Sequence, residues 1–219
     1  MIKIENLCFS YEKSSTLLLD NVNVTIPKGA YLSIVGENGS CKTTLIKLVL
    51  GLLHPNSGSI EVAAKKVAYV PQRLEDFNSE FPISVFEVLK THAKALHLNV
   101  NQAVEDSLKK VNLPSFKNNL IGNLSGGQQQ RVFISRALMG NPDLIILDEP
   151  STGVDYKSQQ EIYSILKTIN EECGINIISI EHNMSLASKY SSHILKLDEG
   201  RVTLQSCEEF KKNMPFLGA

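Results

Sequence analysis

The sequence has no uninterrupted apolar run long enough to cross a bilayer, and its first five residues do not resemble a signal peptide. Lysine and arginine number 22 against 23 aspartates and glutamates, so the net charge of -1 gives no overall attraction to nucleic acid or to an acidic membrane. There is also no internal repeat and no low-complexity tract. We therefore expect a cytosolic protein that works at a membrane only through another subunit.

Cysteine is scarce and scattered, with no C-x-x-C spacing of the kind that binds zinc or performs redox chemistry. The five histidines likewise form no close ligand group. This pattern favours free thiols in a reducing compartment over disulfides or a structural metal. The four cysteines are Cys8, Cys41, Cys173 and Cys207.

One stretch, residues 36–44, has the pattern of a phosphate-binding loop, G-x-x-x-x-G-K-[ST], with one departure. It follows an apolar run that predicts a strand and precedes apolar residues at helical spacing. The loop N–H groups and the helix N-terminus would point at phosphates, Lys42 would add positive charge, and the Thr43 hydroxyl could ligate Mg²⁺. The loop consists of Gly36, Glu37, Asn38, Gly39, Ser40, Cys41, Lys42, Thr43 and Thr44.

The departure is Cys41, which stands where the pattern has its second glycine. Glycine allows unusual backbone angles and a close approach of phosphate. Either the backbone at Cys41 tolerates a side chain that points away, or nucleotide binding is weakened; we expect an active enzyme. A thiol beside Lys42 and a helix N-terminus should also have a lowered pKa, so we expect Cys41 to be alkylated readily and ATP to protect it.

Apolar periodicity predicts an α/β fold with a mainly parallel sheet, an antiparallel β subdomain at the N-terminus and a helical insert. Residues 144–147 are continuously apolar, as in a parallel strand buried on both faces. Residues 83–120 carry helical spacing. We expect one domain, residues 1–219, in which residues 1–82 and 121–219 form a nucleotide-binding core and residues 83–120 a helical subdomain.

Asp148 and Glu149 follow the continuously apolar strand directly. Open α/β sheets bind their ligands at the carboxyl ends of strands, so Asp148 could hold Mg²⁺ and Glu149 could act as general base towards water. The alternative is a strand end that merely stays polar. The phosphate loop earlier in the chain favours the catalytic interpretation.

Residues 124–128 read L-S-G-G-Q at the predicted start of a helix. Two adjacent glycines and a serine lower helix stability, which favours a binding role over a structural one. Exposed N–H groups and a hydroxyl at the positive end of a helix suit a γ-phosphate. The alternative is a serine N-cap after a flexible turn.

These motifs together resemble those of the ATP-binding subunits of ABC transporters, over nearly the full length of the chain. The resemblance rests on the phosphate loop (Walker A), the signature L-S-G-G-Q, the acidic strand end (Walker B) and the D-loop at residues 151–155. Gln72 matches the Q-loop glutamine and His182 the switch histidine. Tyr11 stands where the family stacks an aromatic ring on adenine.

The resemblance implies a P-loop fold with ATP and Mg²⁺ as cofactors. Lys42 and the loop amides would hold the β- and γ-phosphates, and the Mg²⁺ ligands would be Thr43, Gln72 and Asp148. Glu149 would activate water and His182 would contact the γ-phosphate. In a head-to-tail homodimer around two ATP molecules, a second copy would supply nucleotide-binding residues from the signature and D-loop, namely Ser125, Gly126, Gly127, Gln128 and Asp155.

Residues 76–82, D-F-N-S-E-F-P, resemble a segment of the zinc-importer ATPases of Gram-positive bacteria. This implies the ATP-hydrolysing motor of a metal importer, bound through integral-membrane permease subunits to the inner face of the cell membrane and served indirectly by a metal-binding extracellular protein. Residues 72–86 would couple nucleotide state to the permease. Phe77, Phe81 and Phe86 are candidate anchors for that contact or, equally, residues of the insert's own core.

Three alternatives remain open. The chain could be the ATPase of another importer, for manganese or an iron chelate, or a cytosolic scaffold in which Cys41 impairs hydrolysis. It could also be an ABC protein that acts on nucleic acid or ribosomes. The single cassette, the compact insert and the lack of a basic stripe argue against this last class, and we expect no nucleic-acid partner.

Overall fold

The structure is a computed structural model that describes residues 1–11, 17–72 and 82–213. The chain forms two compact units, one of residues 1–65 with the chain from Asn176 onwards, and one of residues 66–175. The segment that resembles zinc-importer ATPases, with Phe77 and Phe81, lies almost wholly outside the described residues.

The first unit contains an antiparallel sheet and a mainly parallel sheet. The strands of this unit are β1 (Ile2–Phe9), β2 (Leu19–Ile26), β3 (Tyr31–Val35), β4 (Ser57–Val62), β7 (Asn176–Glu181), β8 (His193–Asp198) and β9 (Arg201–Ser206). The antiparallel sheet has the order β2-β1-β4. In the second sheet β3 lies between β7 and β8 and is parallel to both, while β9 pairs antiparallel with β8. The helices of this unit are α1 (Lys42–Val49), α6 (Met184–Tyr190) and α7 (Cys207–Asn213).

In its described residues, the second unit pairs two short parallel strands and carries four α-helices. The strands are β5 (Val67–Val70) and β6 (Leu144–Leu147), and the helices are α2 (Val85–Ala95), α3 (Val100–Lys110), α4 (Gly126–Leu138) and α5 (Tyr156–Cys173). Helices α2 and α3 lie within the predicted insert, whose two ends meet because Ile121 N donates to Ile83 O at 3.0 Å. A capping box of Ser84 and Glu87 starts α2.

The burial pattern follows strand type. β2 alternates buried and exposed residues along most of its length, as expected when one face of an antiparallel strand meets water. β3, β6 and β7 are buried at every position, as parallel strands covered on both faces are. The predicted α/β architecture is confirmed, with the antiparallel sheet at the N-terminus.

Helix α6 is an element that the sequence analysis missed. It spans only seven residues, too few for an apolar period to repeat twice. Its N-cap is Asn183, whose Oδ1 accepts from the N–H groups of Ser185 and Leu186. In the part of the chain described, no helix combines the length and apolar character needed to span a bilayer.

Two glycines of the first unit allow a matched test of backbone crowding. A Cβ at Gly58 would lie 2.3 Å from the Asn6 carbonyl oxygen in the neighbouring strand, whereas one at Gly29 would meet no atom of the described residues within 4 Å. Both have positive φ, +84° and +78°, so alanine is strained at both. We expect Gly29→Ala to lower the free energy of unfolding by about 1 kcal/mol and Gly58→Ala by about 3 kcal/mol. Urea denaturation measures both, and equal losses would contradict the crowding at Gly58.

Candidate functional site

The phosphate loop connects the buried end of β3 to the first turn of α1. Lys42 is buried, and its Nζ donates to the carbonyl oxygens of Gly36, at 2.9 Å, and Glu37, at 2.8 Å. The hydroxyl of Ser40 is buried and has no hydrogen-bond partner among the described residues. A loop with an internal ammonium and an unsatisfied hydroxyl is chemically suited to an anionic oxygen.

Cys41 has a left-handed backbone, with φ +71°, at the N-cap of α1. A side chain in that region costs about 1–2 kcal/mol relative to the right-handed one, which explains the glycine of the usual pattern. The loop nevertheless closes normally: Leu45 N donates to Cys41 O at 2.9 Å, and Cys41 Sγ lies 3.6 Å from Gly39 O. The backbone at Cys41 therefore has the left-handed conformation that favours glycine, and the first hydrogen bond of α1 forms all the same.

The expected lowering of the Cys41 pKa is wrong. Partial burial disfavours the thiolate and raises the pKa of the Cys41 thiol, and the attraction of Lys42 offsets only part of that effect. The expectation weighed the neighbouring charge and left burial out.

Tyr11 is exposed, but two contacts hold its side chain, one at the ring and one at the hydroxyl. It packs edge-on against Phe9, with ring centroids 5.1 Å apart, and its hydroxyl lies 3.0 Å from Thr44 Oγ1 on α1. The aromatic side chain predicted to stack on adenine is thus linked to Thr44, the last residue of the phosphate loop, by a hydrogen bond. Sequence spacing does not reveal this contact.

His182 lies at the same edge of the parallel sheet as the phosphate loop. It follows β7 directly, and β7 pairs with β3 so that Glu181 lies opposite Val35, the residue before Gly36. Glu181 itself is buried and accepts a hydrogen bond from Ser179. The structure therefore brings two of the predicted motifs, Walker A and the switch histidine, to one edge within the first unit.

In the second unit, Gln72 and the acidic pair lie at the carboxyl edge of the parallel pair β5 and β6. Asp148 is buried, and Tyr69 donates to its Oδ2 at 3.3 Å. Burial, followed by the charge of Asp148 and this hydrogen bond, raises the pKa of Tyr69 to about 12, so Tyr69 stays a donor. The carboxylate of Asp148 and the amide oxygen of Gln72 are ligand types that suit Mg²⁺, as is the hydroxyl of Thr43 in the first unit.

Glu149 is held in a strained and well-defined position. Its φ is +50°, in the left-handed region, and its Oε2 accepts from Gln72 Nε2 at 2.6 Å and from Thr152 Oγ1 at 2.9 Å. Strained residues of this kind persist where the surrounding structure determines them, and they cluster at functional sites. Thr152 is a contact of the predicted base that sequence reasoning missed.

The signature motif starts α4 with a capping box. Ser125 Oγ accepts from Gln128 N at 3.3 Å, and Gln128 Oε1 accepts from Ser125 N at 2.9 Å. The structural alternative, a serine N-cap, is therefore present in the fold. Gly127 also has a packing role, because a Cβ there would lie 2.5 Å from Ser158 Cβ at the start of α5. A Cβ at Gly126 would have, in the described part of the chain, only Gly153 O within 4 Å, at 3.8 Å.

The helices α4 and α5 begin with the same arrangement of side chains. Gln129, four residues after the Ser125 cap, donates to the carbonyl oxygens of Ile121 and Leu124, both at 3.1 Å. Gln159, four residues after the Asp155 cap, donates to Ser151 O at 3.1 Å and Val154 O at 2.9 Å. A cap followed four residues later by glutamine is a sequence signal that could have revealed both. Hydrogen bonds from Ser158 lower the pKa of Asp155, which keeps this cap ionised.

A family model described as "ABC transporter" matches residues 19–152. The chain is 40% identical to a "Probable metal transport system ATP-binding protein" of Treponema pallidum, over 95% of this chain and 87% of that protein. It is 33% identical to the "Zinc uptake system ATP-binding protein ZurA" of Listeria monocytogenes, over 96% and 88%. It is 31% identical to the "High-affinity zinc uptake system ATP-binding protein ZnuC" of Bacillus subtilis, over 95% and 98%.

Solved structures show the same fold. A "putative metal-chelate type ABC transporter" in an inward-facing conformation superimposes with a TM-score of 0.85 at 27% identity, over 99% of this chain and 88% of that one. The dimeric bacterial ABC transporter cassette MJ0796 superimposes with a TM-score of 0.77 at 28% identity, over 94% and 99%.

The two glycines of the signature should respond differently to alanine. We expect Gly127→Ala to lower the free energy of unfolding by about 1–3 kcal/mol because of the contact with Ser158, and Gly126→Ala to leave it unchanged or raise it by up to about 1 kcal/mol. Adding Ser158→Gly to Gly127→Ala should cost less than the two single changes together, as chemical denaturation would show. Strict additivity would contradict direct contact.

The reactivity of Cys41 tests its raised pKa. A higher pKa leaves less thiolate at neutral pH, so a variant retaining only Cys41 should be alkylated more slowly at pH 7 than a variant retaining only the exposed Cys173. Its rate should keep rising as the pH is raised into the alkaline range. Rates of iodoacetamide labelling across pH measure this, and faster labelling of Cys41 at neutral pH would contradict it.

Proposed function

The chain belongs to the ABC transporter family, and on that premise we propose that it is the ATP-hydrolysing subunit of an importer for zinc or a similar divalent metal ion. Support for the cargo comes from the relatives, two of which are named for zinc uptake and one for metal transport. The alignments span 87% or more of each of these proteins, so the resemblance extends over most of their length.

One observation above all supports hydrolysis over nucleotide binding alone. The carboxylate of Glu149 follows the buried strand β6 and is fixed by hydrogen bonds from Gln72 and Thr152. Binding of phosphates needs the loop, the lysine and the cation, but no ionised base. A positioned carboxylate beside the buried Asp148 is what proton removal from an attacking water requires.

We assign the roles accordingly. The loop at residues 36–44, including Lys42 and Thr44, binds the phosphates, and Tyr11 stacks on the adenine. Thr43, Gln72 and Asp148, the ligands that the resemblance implies, would hold Mg²⁺, and the ion would neutralise phosphate charge. Glu149 takes a proton from water as the water oxygen bonds to the γ-phosphorus, and His182 donates to the γ-phosphate while the bond to the ADP oxygen breaks.

We further propose that two copies bind ATP together and act through a permease. Ser125 and Gly127 of one copy would contact the nucleotide of the other, alongside Gly126, Gln128 and the D-loop with Asp155. The dimeric cassette among the structural neighbours supports this arrangement. Permease subunits in the membrane would carry the metal, and an extracellular protein would deliver it, with this subunit at the inner face.

A second cargo class is favoured by one observation. The similar transporter of metal-chelate type supports an importer of a chelated metal as the alternative to one of free zinc. Zinc is preferred because the zinc-uptake relatives have the higher identities, 33% and 31% against 27%.

ATP hydrolysis by the purified chain tests the motor. We expect Mg²⁺-dependent turnover, and a fall in kcat of at least about 100-fold in Glu149→Gln with ATP binding retained, since general-base catalysis contributes that much or more. Phosphate release measures turnover and a fluorescent nucleotide measures binding. Unchanged turnover in Glu149→Gln would refute the assignment of the base.

The matched variant Cys41→Gly separates an impaired loop from an impaired base. If the parent chain hydrolyses no ATP and the Cys41→Gly variant does, the cysteine weakens the site.

The cargo is tested with the subunit and its permease in vesicles, where ATP should drive uptake of zinc in preference to manganese or an iron chelate. Preference for the chelate would replace zinc with the second class.

A further inference from the structure

We propose that Thr152 is a positioning residue for hydrolysis: its hydroxyl and the amide of Gln72 fix the carboxylate of Glu149 in the orientation that accepts the proton of the attacking water. This inference rests on the proposed role of Glu149 as the base. It gives a role to Thr152, a D-loop residue to which the resemblance assigns none.

Two hydrogen bonds fix the orientation of the Glu149 carboxylate. Both donors converge on the same oxygen, Oε2, at 2.6 Å from Gln72 Nε2 and 2.9 Å from Thr152 Oγ1. A carboxylate that accepts two bonds at one oxygen cannot rotate about its Cγ–Cδ bond without breaking them. The direction of its other oxygen, Oε1, is thereby set.

The same bond orients Gln72. An ionised carboxylate only accepts hydrogen bonds, so the amide must present Nε2 to Glu149. Its Oε1, the atom that can ligate a cation, then points away from Glu149. The contact that holds the base therefore also determines which face of the glutamine is offered to Mg²⁺.

Contacts of the loop backbone and of neighbouring residues set the position of the Thr152 hydroxyl, and the hydroxyl itself takes no part in them. Thr152 N donates to Glu149 O at 3.2 Å, which closes the turn after β6. Helix α5 holds the following residues: Gln159 donates to Ser151 O and Val154 O, and Ser151 Oγ lies 2.8 Å from the hydroxyl of the buried Tyr163. The backbone of residue 152 is thus fixed by a helix, and rigid support is what a precise catalytic contact needs.

Because the loop is held by backbone contacts, a change of the Thr152 side chain can distinguish a role in positioning Glu149 from a role in loop structure. The backbone bond that closes the turn survives any substitution of the side chain, and the hydrogen bond from Thr152 Oγ1 lies at the surface, where its loss affects stability little. Valine has nearly the shape of threonine and lacks only the hydroxyl. Thr152→Val therefore removes the contact with Glu149 and leaves the loop in place.

The experiment compares steady-state ATP hydrolysis by the full chain with that of three variants, Thr152→Val, Thr152→Ser and Glu149→Gln. We expect Thr152→Val to lower kcat about tenfold, as the loss of one hydrogen bond to a charged group would. The KM for ATP should stay within about twofold, because the phosphate loop is untouched. Thr152→Ser, which keeps the hydroxyl, should restore kcat to within about twofold of the parent.

The loss confined to kcat and its rescue by serine are readouts that a merely structural role would not produce. Thr91→Val is the matched control, because Thr91 Oγ1 donates only to its own helix, at Glu87 O, on the surface of α2. It should change neither kcat nor KM.

The outcomes are distinct. Parental turnover in Thr152→Val beside an inactive Glu149→Gln would overturn the positioning role and leave the proposed base intact. Equal losses in Thr152→Val and Thr152→Ser, or a lower melting temperature in Thr152→Val that accounts for the loss, would also overturn it. Parental turnover in Glu149→Gln would refute the base and this inference with it.

Discussion

Burial of the parallel strands on both faces is the constraint from which the rest of the structure follows. β3 and β6 offer no exposed position, so a polar side chain that must meet solvent or a ligand can stand only where the strand ends. Each strand accordingly passes straight into a functional segment, the phosphate loop after Val35 and the acidic pair after Leu147. The hydrophobic core thus determines where chemistry is possible.

Beyond the strand ends, hydrogen bonds replace apolar packing as the source of order. Lys42 is held by carbonyl oxygens of its own loop, and Glu149 by Gln72 and Thr152. Both segments contain a non-glycine residue with a left-handed backbone, Cys41 at φ +71° and Glu149 at φ +50°. Each such conformation costs free energy, so it is retained only where the surrounding contacts fix it.

Whether a feature could be predicted from the sequence depends on how far apart in the chain the interacting residues lie. Apolar periodicity is a property of one segment, and it predicted the strands and long helices. The Thr152 contact depends on the left-handed turn at Glu149, and the link from Tyr11 to Thr44 joins residues 33 apart, so neither has a local pattern. The error at Cys41 has a similar cause, because Lys42 is visible as a neighbour in the sequence and burial is not.

The two caps at the starts of α4 and α5 show why a structural role and a binding role need not exclude each other. Ser125 Oγ accepts from Gln128 N and still has its own O–H to donate, and the cap fixes where the oxygen lies. Asp155 makes the same cap with an ionised carboxylate, which can only accept. Of these two equivalent positions, only Ser125 can therefore cap its helix and donate a hydrogen bond to a phosphate at once. Any contribution of Asp155 to phosphate binding must act through another group.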